Sequence, residues 1–274
     1  MPEMPEVRTV TKDMNILVEG KTISRVEFPI PKILKDISWE DFEKSIANTK
    51  IVKVTNIGKW IVFKLTKSKI ILSHLRMTGS YYYFDKKPKE LVKHTCSIFI
   101  FDDESELHYV DPRKFGTMHL RDEETFLDKK PLLDLGKEPQ NTNVDDFLES
   151  LKRTSRAIKT VILDQKHVLG FGNIYVDETL WEAKIHPETP AKNINKKQAK
   201  LILEIGARIM DHSTRLGGSS IQTYGSVNGK PGEYQNYLKV FGKAKNPCPR
   251  CKEILQKTKV NGRGTTTCPN CQRI

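Results

Sequence analysis

Cys248, Cys251, Cys268 and Cys271 stand in the pattern C-x2-C-x16-C-x2-C. Each C-x2-C places two thiolates on one tight turn, and two such turns offer four soft ligands to a single tetrahedral Zn²⁺. An iron–sulfur centre is the alternative. The fifth cysteine, Cys96, lies in an apolar run and reads as a small core residue. An odd number of cysteines, four of them clustered at one end, argues against a disulfide framework. At the other end the chain reads Pro2-Glu3-Met4-Pro5-Glu6-Val7. Removal of Met1 before the small Pro2 would leave a secondary amine. An imine formed by such an amine is an iminium, cationic without a proton, which suits a Schiff base with an aldehydic sugar carbon. At a helix N-terminus the dipole would also disfavour the protonated amine. Glu3 and Glu6 complement that dipole, and a carboxyl beside the amine can also move protons.

The elements that must hold these residues follow from periodicity. Val7, Val10, Met14 and Leu17 share one face of a helix spanning Glu3 to about Gly20. From Thr22 to about Leu120 the pattern changes to short β-type runs: Ile51–Val54, Trp60–Leu65, Ile70–Leu75, Tyr81–Phe84, Ser97–Phe101 and Leu107–Val110. The turn Asp102-Asp103-Glu104-Ser105 reads as a hairpin, and strands at this spacing predict a sandwich or barrel. An irregular stretch with Pro131, Gly136 and Pro139 reads as a linker. Helical patterns follow at Asp145–Leu151, Ala157–Gln165, Asn173–Ala183 and Lys196–Met210, the last with Leu201, Ile205 and Ile209 toward the core. The division expected is 1–120, a linker 121–143, a helical domain 144–238 and a metal finger 239–274.

The 274 residues carry 46 basic and 34 acidic side chains, a formal charge of 46 − 34 = +12. Such an excess suits a polyanionic partner. Nine Lys or Arg against the single Glu253 give the stretch 239–274 a balance of 9 − 1 = +8. Arg263, in Asn261-Gly262-Arg263-Gly264, sits where a tight hairpin tip allows close approach to a ligand. At 37% hydrophobic residues the chain can bury a core, so global disorder is excluded. No run approaches the roughly 18 apolar residues of a spanning helix. Residues 1–8 lack the basic-then-apolar pattern of a secretion signal, so a cytoplasmic location with reduced thiols is expected.

Taken in order, the motifs resemble those of the formamidopyrimidine-DNA glycosylase / endonuclease VIII family, and the bacterial 8-oxoguanine branch in particular. The resemblance extends over essentially the whole chain. It rests on Pro2–Val7, Gly58-Lys59-Trp60, His74-Leu75-Arg76-Met77, Asp111-Pro112-Arg113-Lys114-Phe115-Gly116, Leu163-Asp164-Gln165, Gly172–Glu178, Ile185-His186-Pro187 and the four cysteines. It implies an α+β fold: an N-terminal β-sandwich with flanking helices, then a helix-two-turn-helix domain with a four-cysteine zinc finger. DNA would bind between the two halves.

The resemblance further implies a bifunctional glycosylase and AP lyase that excises oxidised purines and cuts the strand by β,δ-elimination. Pro2 would attack C1′, with Glu3 the neighbouring acid and base. Lys59 would assist the lyase step, and Arg263 would clamp the phosphates flanking the lesion. Asn173 would cap its helix and bind phosphate. His74, His94 and Arg113 match DNA-contacting positions, and Met77, Arg113 and Phe115 match residues that fill the space of the extruded base. Glu6 and Glu178 match acids near the catalytic amine. One structural Zn²⁺, a double-stranded DNA partner carrying oxidised purines or abasic sites, and action as a monomer at the bacterial nucleoid complete what is implied.

Two departures stand out. Met4 replaces the usual leucine, and Ser155 lies where a lysine often contacts DNA, with Arg153 and Arg156 as substitutes. The loop from Gly217 to Glu233 is where the family holds the flipped base; no residue in it is assigned. A pyrimidine-specific endonuclease VIII would share Pro2, Glu3 and the finger, but Met4–Val7 and Asp111–Gly116 favour the purine branch. A non-catalytic zinc-ribbon protein would explain the charge and the cysteines but not Pro2-Glu3 or Lys59.

Overall fold

Helix α1 (Met4–Val18) buries Val7, Val10, Met14 and Val18, with Leu17 half-buried. It is followed by β1 (Thr22–Glu27), the short β2 (Leu34–Lys35), helix α2 (Trp39–Ile46), β3 (Thr49–Ile57), β4 (Trp60–Leu65) and β5 (Lys69–His74). Then come β6 (Ser80–Phe84), β7 (Thr95–Phe101), β8 (Glu106–Val110) and β9 (Thr117–Asp122). All six apolar runs fall on strands, Leu75 alone lying one residue beyond β5, whereas β1, β2, α2 and β9 match none of those runs. Helix α2 had a readable start: Ser38 Oγ accepts the Asp41 N–H at 3.1 Å, and Phe42 and Ile46 are buried one turn apart.

The strands hydrogen-bond in the order β2-β9-β5-β4-β3-β1-β7-β8-β6, all antiparallel except β2 with β9. Strands β4 and β7 are separated by β3 and β1, so a flat sheet would hold them about 14 Å apart. Yet Phe63 of β4 stacks on Phe99 of β7 with ring centroids 6.2 Å apart. Tyr81 Oη of β6 donates to Ser73 Oγ of β5 at 2.7 Å. The sheet therefore folds face to face on itself as a sandwich, with Phe63, Tyr81, Phe99, Phe101 and Tyr109 buried in it.

The computed structural model describes residues 2–221 and 224–273. One unit comprises Met1–Leu133 with Leu216–Glu233; the other comprises Asp134–Arg215 with Tyr234–Ile274. The stretch 216–233 thus folds with the sandwich and not with the helices that precede it. Val227 enters the sandwich core. Asn228 Oδ1 accepts the Tyr83 N–H at 2.8 Å, and Ser226 Oγ donates to Asp13 at 2.6 Å. Gln222 and Thr223 of this loop lie outside the described residues.

The second unit holds α3 (Val144–Lys152), α4 (Ile158–Leu163), α5 (Asn173–Glu182), α6 (Lys196–Arg215), and the hairpin β10 (Gln256–Val260) with β11 (Arg263–Thr267). Helix α6 continues past Met210 and buries Ala199, Ile202, Ile205 and Ile209, while Leu201 is only half-buried. Lys159 of α4 is fully buried. Its Nζ donates to Asp177 of α5 at 2.6 Å, to Thr265 Oγ1 at 2.8 Å and to the Gly264 carbonyl at 3.0 Å, fastening β11 to two helices. Burial pushes the Asp177 carboxyl up to about 6, against the pull of Lys159.

The four cysteines converge. Their Sγ atoms all lie within 4.8 Å of one another. A tetrahedron with metal–sulfur bonds of about 2.3 Å has edges of about 3.8 Å, so the spacing suits one ion. Trp181 Nε1 donates to Cys248 Sγ at 3.4 Å, the contact expected beside a bound thiolate. Cys248, Cys268, Leu255, Val240 and Trp181 form one buried cluster, so the thiolates are also the core of this small module. Chelation should therefore unfold it: EDTA with a thiol-reactive competitor should release one Zn²⁺ per chain, counted by a colorimetric indicator, and Cys268→Ser should abolish DNA binding. Normal DNA affinity in zinc-free protein would contradict a structural ion.

Candidate active site and nucleic-acid interface

Pro2 and Glu3 are buried at the start of α1. Glu3 is the N-cap, and a reciprocal capping box joins it to Glu6. The Glu3 N–H donates to Glu6 Oε2 at 2.8 Å. The other Glu6 oxygen, Oε1, accepts the Ser219 N–H at 2.8 Å. Tyr224 Oη donates to the Glu6 carbonyl at 3.2 Å. Gly218 lies so close that a Cβ there would stand 2.9 Å from Glu6 Oε1. Glu6 is thus committed to backbone geometry, tying the chain start to the 216–233 segment. Sequence reasoning missed Ser219; its partner is 213 residues away.

Lys59 sits in the two-residue connection between β3 and β4 and is only 8% exposed. The next residue, Trp60, pairs across strands with His74, and the two rings meet edge-on at 4.7 Å. His74 Nδ1 accepts the Arg76 N–H at 3.0 Å. Burial, followed by the charges of Arg76 and Lys59, pulls the His74 pKa down to about 3. His74 is therefore neutral at physiological pH, with its proton on Nε2, which makes it a donor of one hydrogen bond.

Met77, His94, Arg113 and Phe115 are all exposed, on three connections of the sandwich. Met77 is 40% and Phe115 55% exposed, unusual for large apolar groups that a core reading would bury. The Arg113 guanidinium lies over the Phe115 ring at 4.7 Å. His94 adopts φ +69°.

In the second unit Arg263 is exposed and opens β11, directly after the turn Asn261-Gly262, whose φ values are 46° and 75°. Both are left-handed, as a two-residue hairpin turn requires. Asn173 does not cap its helix: Gly172 is the N-cap and Asn173 is the first helical residue. Asn173 Nδ2 instead donates to the Gly264 carbonyl at 2.9 Å, so Asn173 and Lys159 both hold the residue after Arg263. A buried lysine among Ala157, Ile158, Val161 and Ile162 was the sequence signal for that role. Glu178 is buried, and its carboxylate accepts the N–H groups of Lys239, Val240 and Phe241 at 2.8, 2.9 and 2.8 Å. Burial pushes this carboxyl up while the three N–H groups pull it back. Of the two arginines near Ser155, Arg156 is paired with Asp164 at 2.6 Å, and the exposed Arg153 lies 3.8 Å from Glu149.

A neutral His74 has a measurable consequence. Its depressed pKa adds stability that is fully present above the unfolded value near 6.5 and lost as pH falls through about 3. In NMR its imidazole should show the Nε2–H tautomer with no titration between pH 5 and 8. A midpoint near 6.5 would contradict the buried, donor-only arrangement.

Residues 1–118 match the family model for the formamidopyrimidine-DNA glycosylase N-terminal domain, and residues 135–225 match that family's H2TH domain. Residues 245–274 match a zinc finger found in FPG and IleRS. A formamidopyrimidine-DNA glycosylase of Mycoplasma mobile is 48% identical over 264 residues, 96% of each chain. One from Listeria monocytogenes is 44% identical over 266 residues, covering 96% of this chain and 97% of that one. A Lactococcus lactis FPG mutant solved with Fapy-dG-containing DNA superimposes with a TM-score of 0.93 over 100% of both chains at 35% identity. The Lactococcus lactis Fpg with abasic-site DNA gives the same values. With its three parts matched in order along nearly its whole length, the chain belongs to the formamidopyrimidine-DNA glycosylase family.

Proposed function

We propose that this protein is a DNA glycosylase and AP lyase of base excision repair, acting as a monomer on double-stranded DNA that contains oxidised purines or abasic sites. The observation that carries the reading is the buried Pro2-Glu3 terminus, locked by the Glu3–Glu6 capping box at the positive end of α1. With Met1 removed, the Pro2 nitrogen attacks C1′ of the damaged nucleoside. The glycosidic electron pair leaves with the base, which takes up a proton. Glu3 delivers a proton to the sugar-ring oxygen as the ring opens, leaving the iminium on Pro2. The iminium acidifies the C2′ proton, and its loss expels the 3′ phosphate; a second elimination expels the 5′ phosphate. Lys59 assists these eliminations from the β3–β4 connection. Arg263 and Asn173 bind phosphates beside the lesion, Asn173 from the start of α5 where an anion is favoured. His74 donates Nε2–H to a further phosphate, and His94 contacts the backbone. Among the described residues no helix is long and apolar enough to cross a membrane. The charge of +12 supports a reading in which the protein works with the nucleoid in the cytoplasm.

Met77, Arg113 and Phe115 fill the space that the extruded base leaves. Guanidinium only donates, and cytosine offers acceptors at O2 and N3, while adenine presents N1 and an opposing amino group. A hydrogen bond to a charged group is worth about 1.5–3 kcal/mol, on the order of ten- to a hundredfold in rate.

Borohydride should trap the protein on 8-oxoguanine duplexes, with the adduct on the first residue by mass spectrometry. An uncleaved N-terminal extension should abolish trapping, and Pro2→Gly should lower glycosylase activity. An adduct on Lys59 would overturn Pro2 as nucleophile, and preferential trapping on dihydrouracil would favour the pyrimidine branch. In single turnover, 8-oxoguanine should be cut about ten- to a hundredfold faster opposite cytosine than opposite adenine. Arg113→Ala should lose most of that ratio; equal wild-type rates would remove the basis for Arg113's role.

A further inference from the structure

Exposed connections are ordinarily mobile, but those bearing Met77, His94, Arg113 and Phe115 are all bonded to one residue. Asp111, at the end of β8, is fully buried. Its Oδ2 accepts the N–H groups of Phe115 and Gly116, each at 2.8 Å. Its Oδ1 accepts the Arg113 N–H at 3.1 Å and the Thr78 hydroxyl. Its own N–H donates to the His94 carbonyl at 3.1 Å. The roughly four acceptor sites of a carboxylate are thus taken by a hydroxyl and three backbone N–H groups from two separate connections. Two residues earlier, the Tyr109 hydroxyl lies directly under both connections. A Cβ at Gly79 would stand 2.3 Å from it, and a Cβ at Gly116 would stand 1.7 Å from it.

We propose that Asp111 is the positioning residue of the void-filling group, and Thr78 the cross-brace through which it holds Met77 in step with Arg113 and Phe115. This rests on the reading that those three side chains enter the stack. Inserting them must offset the cost of unstacking a base. Side chains on loose connections would also lose conformational freedom at that moment, whereas a pre-bonded wedge loses little. The chemistry requires aspartate at 111. An amide would turn its NH₂ toward Phe115 and Gly116 N–H in one orientation and toward Arg113 N–H in the other, so donor faces donor either way.

The test uses the full-length, zinc-loaded protein. Thr78→Val removes the hydroxyl at constant shape, Thr78→Ser keeps it, and Asp111→Asn keeps the volume. Each is measured for single-turnover excision of 8-oxoguanine opposite cytosine and for borohydride trapping on a single-stranded abasic oligonucleotide, which has no opposite base and no void. Thr78→Val is also combined with a triple variant, Met77→Ala, Arg113→Ala and Phe115→Ala. Thr78→Val and Asp111→Asn should slow duplex excision about tenfold, Thr78→Ser should restore it, and single-strand trapping should stay within about twofold. In the triple variant, Thr78→Val should have no further effect. A full Thr78→Val effect there, or an equal loss of single-strand trapping, would mean a general folding role and overturn the proposal. Unchanged duplex excision in both Thr78→Val and Asp111→Asn, with the triple variant slow, would overturn it alone. A triple variant that excises at the wild-type rate would overturn the void-filling reading and this proposal together.

Discussion

Everything chemical in this protein depends on holding a chain end still. Termini fray because little ties them down, and in the proposed mechanism the reactive atom is the nitrogen of Pro2, one residue from the start of the chain. The Glu6 carboxylate meets that constraint. Buried away from water, it must find donors or be expelled. It finds the N–H of Glu3 on one oxygen and that of Ser219 on the other. One side chain thereby fixes both the start of α1 and one foot of the 216–233 segment.

The same physics recurs through both units. Glu178 gathers the N–H groups of Lys239, Val240 and Phe241. Asp177 accepts from Lys159 and from the Thr266 N–H, bringing the strand that follows Arg263 against α5. Asp111 gathers three N–H groups and a hydroxyl. A buried carboxylate accepting backbone N–H bonds makes strong, charge-assisted contacts and dictates the local path of the chain more firmly than apolar packing could. These three acids, like Glu6, thus shape the backbone. Arg113, Arg153 and Arg263 are left outside, exposed, where their charge can meet a polyanion.

Much of this was legible from residue types alone, because the signals are local. The metal site is written in two C-x2-C turns, the helix start in Pro2–Glu6, and the strands in apolar runs such as Trp60–Leu65, which matches β4 residue for residue. What escaped were elements whose stability is not local. Strand β9 has no long apolar run of its own and exists because β5 pairs with it. Asn173 has the type and position of a cap, yet Gly172 takes that place and Asn173 enters the helix as its first residue, with its Nδ2 donating to the Gly264 carbonyl.

The sequence by itself determined the chemistry available: a Pro2 that offers a secondary amine once Met1 is removed, four thiolates for one metal ion, and a surplus of cations for a polyanion. Only the tertiary structure decided which acid does what. Glu3, Glu6, Asp111, Asp177 and Glu178 are alike in sequence, five carboxylates in recognisable motifs. Four of them differ from one another because each is surrounded by donors from distant segments: Ser219 for Glu6, Thr78 for Asp111, Thr266 for Asp177, Lys239 for Glu178. A carboxylate's role is set by the donors that desolvation forces it to find, and those donors are brought to it by the fold.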